Sequence, residues 1–253
     1  LADRYRAIRD IDDVPLIDWY REYSEHSVSS NSVGFDESAL EAVQRMLGTP
    51  PYIYSAGLLE ELLRLGRRRV YRQLEKLLIS GAATCVRVPK PDGGWADWWS
   101  LTDAPIRATS GSLLHQALIV SIGDWLRTHT RLLHESEVHD SILEPSSEGP
   151  DLWIVGSNEL TLAVEIETGL KHRWFSLDEA ILEFENILRR NARYDAILMI
   201  VPTERLKTQI ETLVGRREHR LTVMTVRELH TKFDPYYSNL WQQHSQQNQD
   251  NLT

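Results

Sequence analysis

The chain has 253 residues, 42% of them hydrophobic and 26% charged, with a formal net charge of −9 and a single cysteine. That length admits two domains or one large one. The lone Cys85 excludes a disulfide framework and a multi-cysteine zinc site, and no apolar run approaches the ~18–20 residues that span a bilayer. The opening LADRYRAIRDIDD lacks the apolar core of a secretory signal, so a reducing cytoplasm and no membrane are the expectation.

The charge is uneven. Residues 1–50 carry 5 basic and 10 acidic side chains, residues 51–110 carry 9 and 6, and residues 111–233 carry 14 and 19. Only the second segment is positive, which leaves room for a local footprint on a polyanion despite the acidic total.

Residues 1–35 read as a helical lead-in, VPLIDWYREYSEH, closed by the break SVSSNSVG. In FDESALEAVQRML, Asp36 or Ser38 can cap a helix with Leu40, Val43 and Leu47 on one face. SAGLLEELLRL is a shorter helix leading through Gly66 into RRRVYRQLEKLLISG. There Val70, Leu74, Leu77 and Leu78 follow helical spacing and Gly81 is a stop. TCVRVPK and WADWWSLT then flank a Pro-Asp-Gly-Gly turn as two strands. Three helices and a hairpin in that order predict a winged helix-turn-helix over 36–108.

The third of these helices carries Arg67, Arg68, Arg69, Arg72 and Gln73 away from its apolar stripe. In a winged helix that side enters the major groove, where arginine reads guanine edges and contacts phosphates. Arg87 and Lys90 in the wing are placed for backbone contact. A solubilising arginine face that docks on protein is the ordinary alternative.

From Ser112 the pattern changes. SLLHQALIVSIGDWLRTH is helical, RLLHESEVHD a strand, and GPDLWIVGSNELTLAVEIETGLKH a hairpin at about 150–168. A helix follows with Leu177, Ala180, Ile181, Phe184, Ile187 and Leu188 on one face. YDAILMIVP fits a buried strand, TERLKTQIETLVGR a helix capped by Thr203, and LTVMTV a last strand. The order over 111–233 is α-β-β-β-α-β-α-β, and 234–253 reads as a polar tail whose end, SQQNQDNLT, is frayed or linker-like.

The hairpin holds three carboxylates at one end. Glu165 and Glu167 point to the same face of their strand. A three-residue turn, Ser157 to Glu159, sets Asp151 opposite Glu165; a two- or four-residue turn slips the pairing and breaks the arrangement. Like charges directly opposite each other destabilise a sheet, and a divalent cation with oxygen ligands would offset the repulsion. Solvated carboxylates at an exposed sheet end are the ordinary alternative. The nine histidines form no zinc pattern: His134 and His139 are five apart, and His115 sits among leucines as a core residue.

Pro150-Asp151, thirteen residues, then Glu165-Ile166-Glu167 resembles the PD-(D/E)XK motif of restriction-endonuclease-like nucleases, and the element order is similar to that fold's core. The resemblance covers about 112–230. A winged helix followed by this motif also resembles the plasmid replication-relaxation family of mobile elements. The likeness implies an α+β fold with a mixed central sheet and a metal-dependent endodeoxyribonuclease. It also implies Mg²⁺ or Mn²⁺ on Asp151 and Glu165, and a homodimer where both strands of a duplex are cut. Glu135 or Glu137 on the preceding strand could add a ligand. Glu167 occupies the family's lysine position, and Lys171 could reach back in its place. That departure keeps open a DNA-binding regulator or replication accessory factor that uses the fold as a scaffold. No small-molecule cofactor is implied.

Overall fold

The computed structural model describes residues 37–104, 112–134, 136–141, 149–169, 177–214 and 220–250. The chain divides into two units, Leu1–Glu37 and Ser38–Thr253, and all described residues but Glu37 fall in the second. The expected helical lead-in over 1–35 lies outside the described residues. The architecture is mixed α/β, with seven helices and two sheets among the described residues.

Helix α1 spans Glu37–Leu47, and its Val43 and Leu47 are fully buried as the spacing requires. Ser55 then caps α2 (Ala56–Leu63), its Oγ accepting from Leu58 N at 3.1 Å. Helix α3 (Arg67–Ile79) buries Val70, Leu74 and Leu77. Gly81 follows at φ 75°, the left-handed conformation that ends a helix cheaply with glycine. Strands β2 (Ala83–Pro89) and β3 (Trp95–Leu101) form the expected hairpin, paired from Ala83↔Leu101 to Pro89↔Trp95. One strand was not foreseen. Tyr54 and Ser55 form β1, a two-residue strand on the outer edge of β3, too short for an alternation to register. Val43, Leu47, Leu59, Val70, Leu74 and Trp99 share the core of this region.

Helix α4 (Leu113–His134) packs against both β2 and β4 (Glu137–Asp140). Ala117, Leu118, Ile119, Ile122 and Leu126 are all fully buried. A helix apolar on most of its circumference belongs between two partners rather than on a surface.

The second sheet has the order β4-β5-β6-β7-β8, with β5 at Leu152–Val155, β6 at Thr161–Ile166, β7 at Ala196–Val201 and β8 at Leu221–Thr225. The β4–β5 and β5–β6 pairs are antiparallel; β6–β7 and β7–β8 are parallel. Parallel neighbours need crossover helices, here α5 (Leu177–Arg190) and α6 (Glu204–Val214). Phe184 and Ile187 of α5 meet Met199, Val201, Leu206 and Ile210 on one face of the sheet. Ile181, expected on the same stripe, is exposed beside Leu182. All six residues of β7 are buried, as its unbroken apolar run implies. Thr203 caps α6 through Leu206 N at 3.3 Å.

The expectations of a polar tail from 234 and of fraying from 245 are corrected for the described residues, which end at 250. Residues 226–250 form one long helix, α7 (Val226–Asp250). Phe233 and Tyr237 are fully buried, and the Tyr237 hydroxyl lies 2.8 Å from Ser136 Oγ. The polar composition of 245–253 masked two aromatic anchors just upstream. The helix starts with a capping box: Glu228 N donates to Thr225 Oγ1 at 3.2 Å and Thr225 N donates to Glu228 Oε2 at 2.9 Å. Among the described residues no helix is long and apolar enough to cross a membrane.

Two outcomes follow from α7. Tyr237→Ala should cost about 3–5 kcal/mol in denaturant unfolding, the range for emptying a buried aromatic site, whereas a frayed tail would leave the midpoint unchanged. Glu228 is partly buried, which pushes its pKa up. Hydrogen bonds from Lys207, Lys232 and the Thr225 N–H outweigh that and bring it down to about 2. A carboxyl depressed on folding stabilises the native state above the ordinary glutamate range, and that stabilisation fades as pH falls towards 2. Acid unfolding of Glu228→Gln should therefore lack this component, and Thr225→Ala should lower stability by about 1 kcal/mol at neutral pH.

Candidate functional site

The turn between β5 and β6 decides what the sheet end presents. Gly156 N donates to Leu160 O at 2.8 Å and Glu159 N to Gly156 O at 3.0 Å, so Ser157–Glu159 form a three-residue loop. Glu159 sits at φ 70°, the left-handed position such loops require. The pairing Val155↔Thr161, Trp153↔Ala163, Leu152↔Val164 follows. Continued by one step, it sets Asp151 opposite Glu165.

Asp151 immediately precedes β5. Its Oδ2 accepts from Ile166 N at 2.8 Å, which ties the side chain to the neighbouring strand, and lies 3.1 Å from His115 Nε2. His115 stands in the first turn of α4, where its N–H donates to Ser112 Oγ at 3.2 Å. From sequence His115 is expected to be a core residue. Its surroundings are apolar in sequence, but the ring reaches a site carboxylate 36 positions away, and no local pattern encodes that contact.

Glu165 is only 6% exposed. Its Oε1 accepts from Arg190 Nη2 at 2.9 Å and from Asn191 Nδ2 at 2.5 Å, both at the C-terminal end of α5. Burial raises its pKa, the Asp151 charge raises it further, and Arg190 and Asn191 pull the other way. The two carboxyls therefore feel each other, as residues on one rung should. Burial acts to lower the Arg190 pKa, but Glu165, Asp151 and Glu183 prevail and hold it up. Asn191 is fully buried and also donates to Ile187 O at 3.1 Å, while its Oδ1 is buried without a hydrogen-bond partner. Neither Arg190 nor Asn191 stood out in the sequence, since a basic pair at a helix end is an ordinary feature.

Glu167 is 9% exposed, just beyond the end of β6. Its N–H donates to Ile200 O at 3.0 Å, and its Oε1 accepts from Gly169 N at 2.7 Å. Gly169 adopts φ 77°, and a Cβ there would meet Leu206 at 3.2 Å, so the loop that receives Glu167 depends on this glycine. The bland reading of these carboxylates as solvated does not hold for Glu165 or Glu167. Lys171 and Glu135 lie outside the described residues.

Glu137 is corrected as a third ligand. It pairs with Val155, at the opposite end of β5 from Asp151, whose carbonyl accepts from Ser141 N. Four residues of strand separate the two levels, about 13 Å. The Glu137 side chain is largely exposed and lies 3.7 Å from His139. Among the described residues no group of three or more His, Cys, Asp and Glu side chains is placed to hold a metal ion. What remains is the pair Asp151 and Glu165. A small, hard dication such as Mg²⁺ is commonly held by one or two carboxylates together with water and substrate phosphate, and the pair fits that mode.

On α3, Arg67, Arg68, Arg69 and Arg72 are all exposed. Arg67 stacks over the Tyr71 ring at 5.8 Å. Gln73 is corrected: it is 1% exposed, between Val70 and Leu77 on the packed side, and cannot meet an outside partner. At 100° per residue, position 73 falls three residues from Val70 and four from Leu77, so it belongs to their stripe. In the β2–β3 hairpin, Arg87 pairs across with Asp97 and its Nε lies 3.8 Å from that carboxylate. Lys90 Nζ lies 3.2 Å from Asp92 at the hairpin turn. The hairpin charges are partly neutralised, whereas Arg68 and Arg72 meet no carboxylate among the described residues.

No family model matches this chain, and neither the curated proteins nor the solved structures contain a significantly similar one.

Proposed function

We propose that the chain binds DNA through a winged helix formed by α1–α3 and the β2–β3 hairpin. We further propose that it hydrolyses a DNA phosphodiester at Asp151 and Glu165, on a restriction-endonuclease-like sheet. The observation that carries the second part is the register: a three-residue turn brings Asp151 and Glu165 to one rung, where burial and the Asp151 charge both disfavour ionisation of Glu165. The element order from α4 to β8 agrees with that of the resembled nucleases. A bound Mg²⁺ or Mn²⁺ would activate water and neutralise charge on the phosphate. The chain's own residues fix the two carboxylates: His115 and the Ile166 N–H orient Asp151, and Asn191 and Arg190 orient Glu165. Cleavage of both strands would require two copies of the chain.

A second reading, a DNA-binding regulator or replication accessory factor without cleavage, is favoured by one arrangement. Glu165 already carries an arginine counter-charge, and Glu167, in place of a lysine, is turned onto its own loop.

Purified protein with Mg²⁺ or Mn²⁺ should nick or cut plasmid DNA, and Asp151→Asn or Glu165→Gln, if folded by circular dichroism, should lower the rate by about a hundredfold or more. Absence of cutting by the wild type with either metal on duplex, branched and single-stranded DNA would leave the second reading standing. For the N-terminal module, Arg68→Ala with Arg72→Ala should weaken DNA binding and lower the slope of log affinity against log salt by about two. A slope unchanged by both substitutions would move the contact surface away from α3.

A further inference from the structure

We infer that Arg190 is the phosphate-contacting cation of the Asp151–Glu165 site, supplying from the end of α5 the positive charge that Glu167 does not supply from the β6 strand. The inference rests on the nuclease-like reading above and names the residue that would engage the substrate's phosphate there.

A phosphodiester approaching two carboxylates needs positive charge beside them, beyond any metal. Among the described residues, Arg190 is the one arginine or lysine that forms an ion pair with Asp151 or Glu165. The guanidinium carries five N–H donors in a rigid planar fork. Glu165 engages Nη2, and the side chain is still 39% exposed. An arginine wholly committed to an internal ion pair would be expected to be covered like its partner, and Glu165 is. The remaining N–H groups of Arg190 can therefore donate to a phosphate oxygen while Nη2 keeps Glu165 in place. Asn191 makes this division possible. It donates to the same Oε1 from a fully buried position, so Glu165 does not depend on Arg190 alone.

The two roles of Arg190 separate experimentally. A purely structural partner of Glu165 would affect stability and metal affinity but not phosphate affinity. The test measures the affinity of the full chain for duplex DNA in Ca²⁺ and in EDTA, because binding at α3 needs no cation and only the difference reports on the carboxylate site. Ca²⁺ affinity without DNA is measured by calorimetry. The Ca²⁺-dependent gain should fall about tenfold in Arg190→Ala and recover in part in Arg190→Lys, with Ca²⁺ affinity undiminished.

An undiminished gain in Arg190→Ala overturns the inference and leaves the nuclease reading intact. A gain that falls only in step with Ca²⁺ affinity also overturns it, since Arg190 then acts by shaping Glu165. A wild type that neither binds Ca²⁺ nor gains DNA affinity from it removes the nuclease reading and the inference together. Should Arg190→Ala not fold, Arg190→Gln, which can still donate to Glu165, is read by the same criteria.

Discussion

The carboxylate site depends on the length of one turn. Side chains alternate along a strand, so a slip of one residue between β5 and β6 would send either Asp151 or Glu165 to the other face. The loop is pinned from both sides. Within it, Asn158 Oδ1 accepts from Leu160 N at 3.2 Å. From outside, Asn158 Nδ2 donates to Trp241 O and to Ser245 Oγ, both on α7. A Cβ on Gly156 would meet Asn158 Oδ1 at 2.9 Å and the Tyr237 hydroxyl at 3.3 Å, so that glycine lets the turn seat against the helix. A segment that reads as a polar tail thus braces the loop that sets the register.

Burying a carboxylate costs several kcal/mol unless partners replace its water. Glu165 is met by Arg190 and Asn191 at the C-terminal end of α5, the negative end of a helix, which by itself makes a carboxylate less welcome. Arg190 and Asn191 offset both effects. The pair therefore has a structural reason to exist whatever chemistry the site performs. It also explains why a buried acid can persist in a sheet whose neighbouring strand is apolar throughout.

Much of this was legible in the sequence where period and punctuation agree. The β2–β3 hairpin, the buried run of β7, the Thr203 cap and the order of elements from α4 to β8 all follow from local pattern. The alternation of side chains also sets the condition that puts Asp151 opposite Glu165, a three-residue turn, and the turn meets it. What escaped was set by long-range contact. His115 reaches Asp151 and Arg190 reaches Glu165 across 36 and 25 positions, and no window of residues contains either pair. Gln73 failed for a different reason: a polar residue was assigned outward by its chemistry, although its angular position on α3 placed it with Val70 and Leu77. The expected third ligand, Glu137, failed because antiparallel pairing carries β4 away from the site; its far end, at Ser141, is the part that meets Asp151.

Helix α4 joins these local results into one frame. Its apolar circumference packs on β2 of the first sheet and on β4 of the second, so the hairpin next to α3 and the strand next to Asp151 rest on the same rod. The start of α7 adds a second tie, with Arg227 over the Trp95 ring at 5.8 Å. His115 comes from the first turn of α4 and holds Asp151. A displacement of α4 would then be felt at both ends: at the β2–β3 hairpin, through β2, and at the carboxylate pair, through the imidazole. Because α4 is buried on most of its surface, it can shift only by repacking against both partners at once, and close-packed interiors resist such repacking. The hairpin beside α3 and the strand beside the acidic rung are therefore joined through one shared, packed helix.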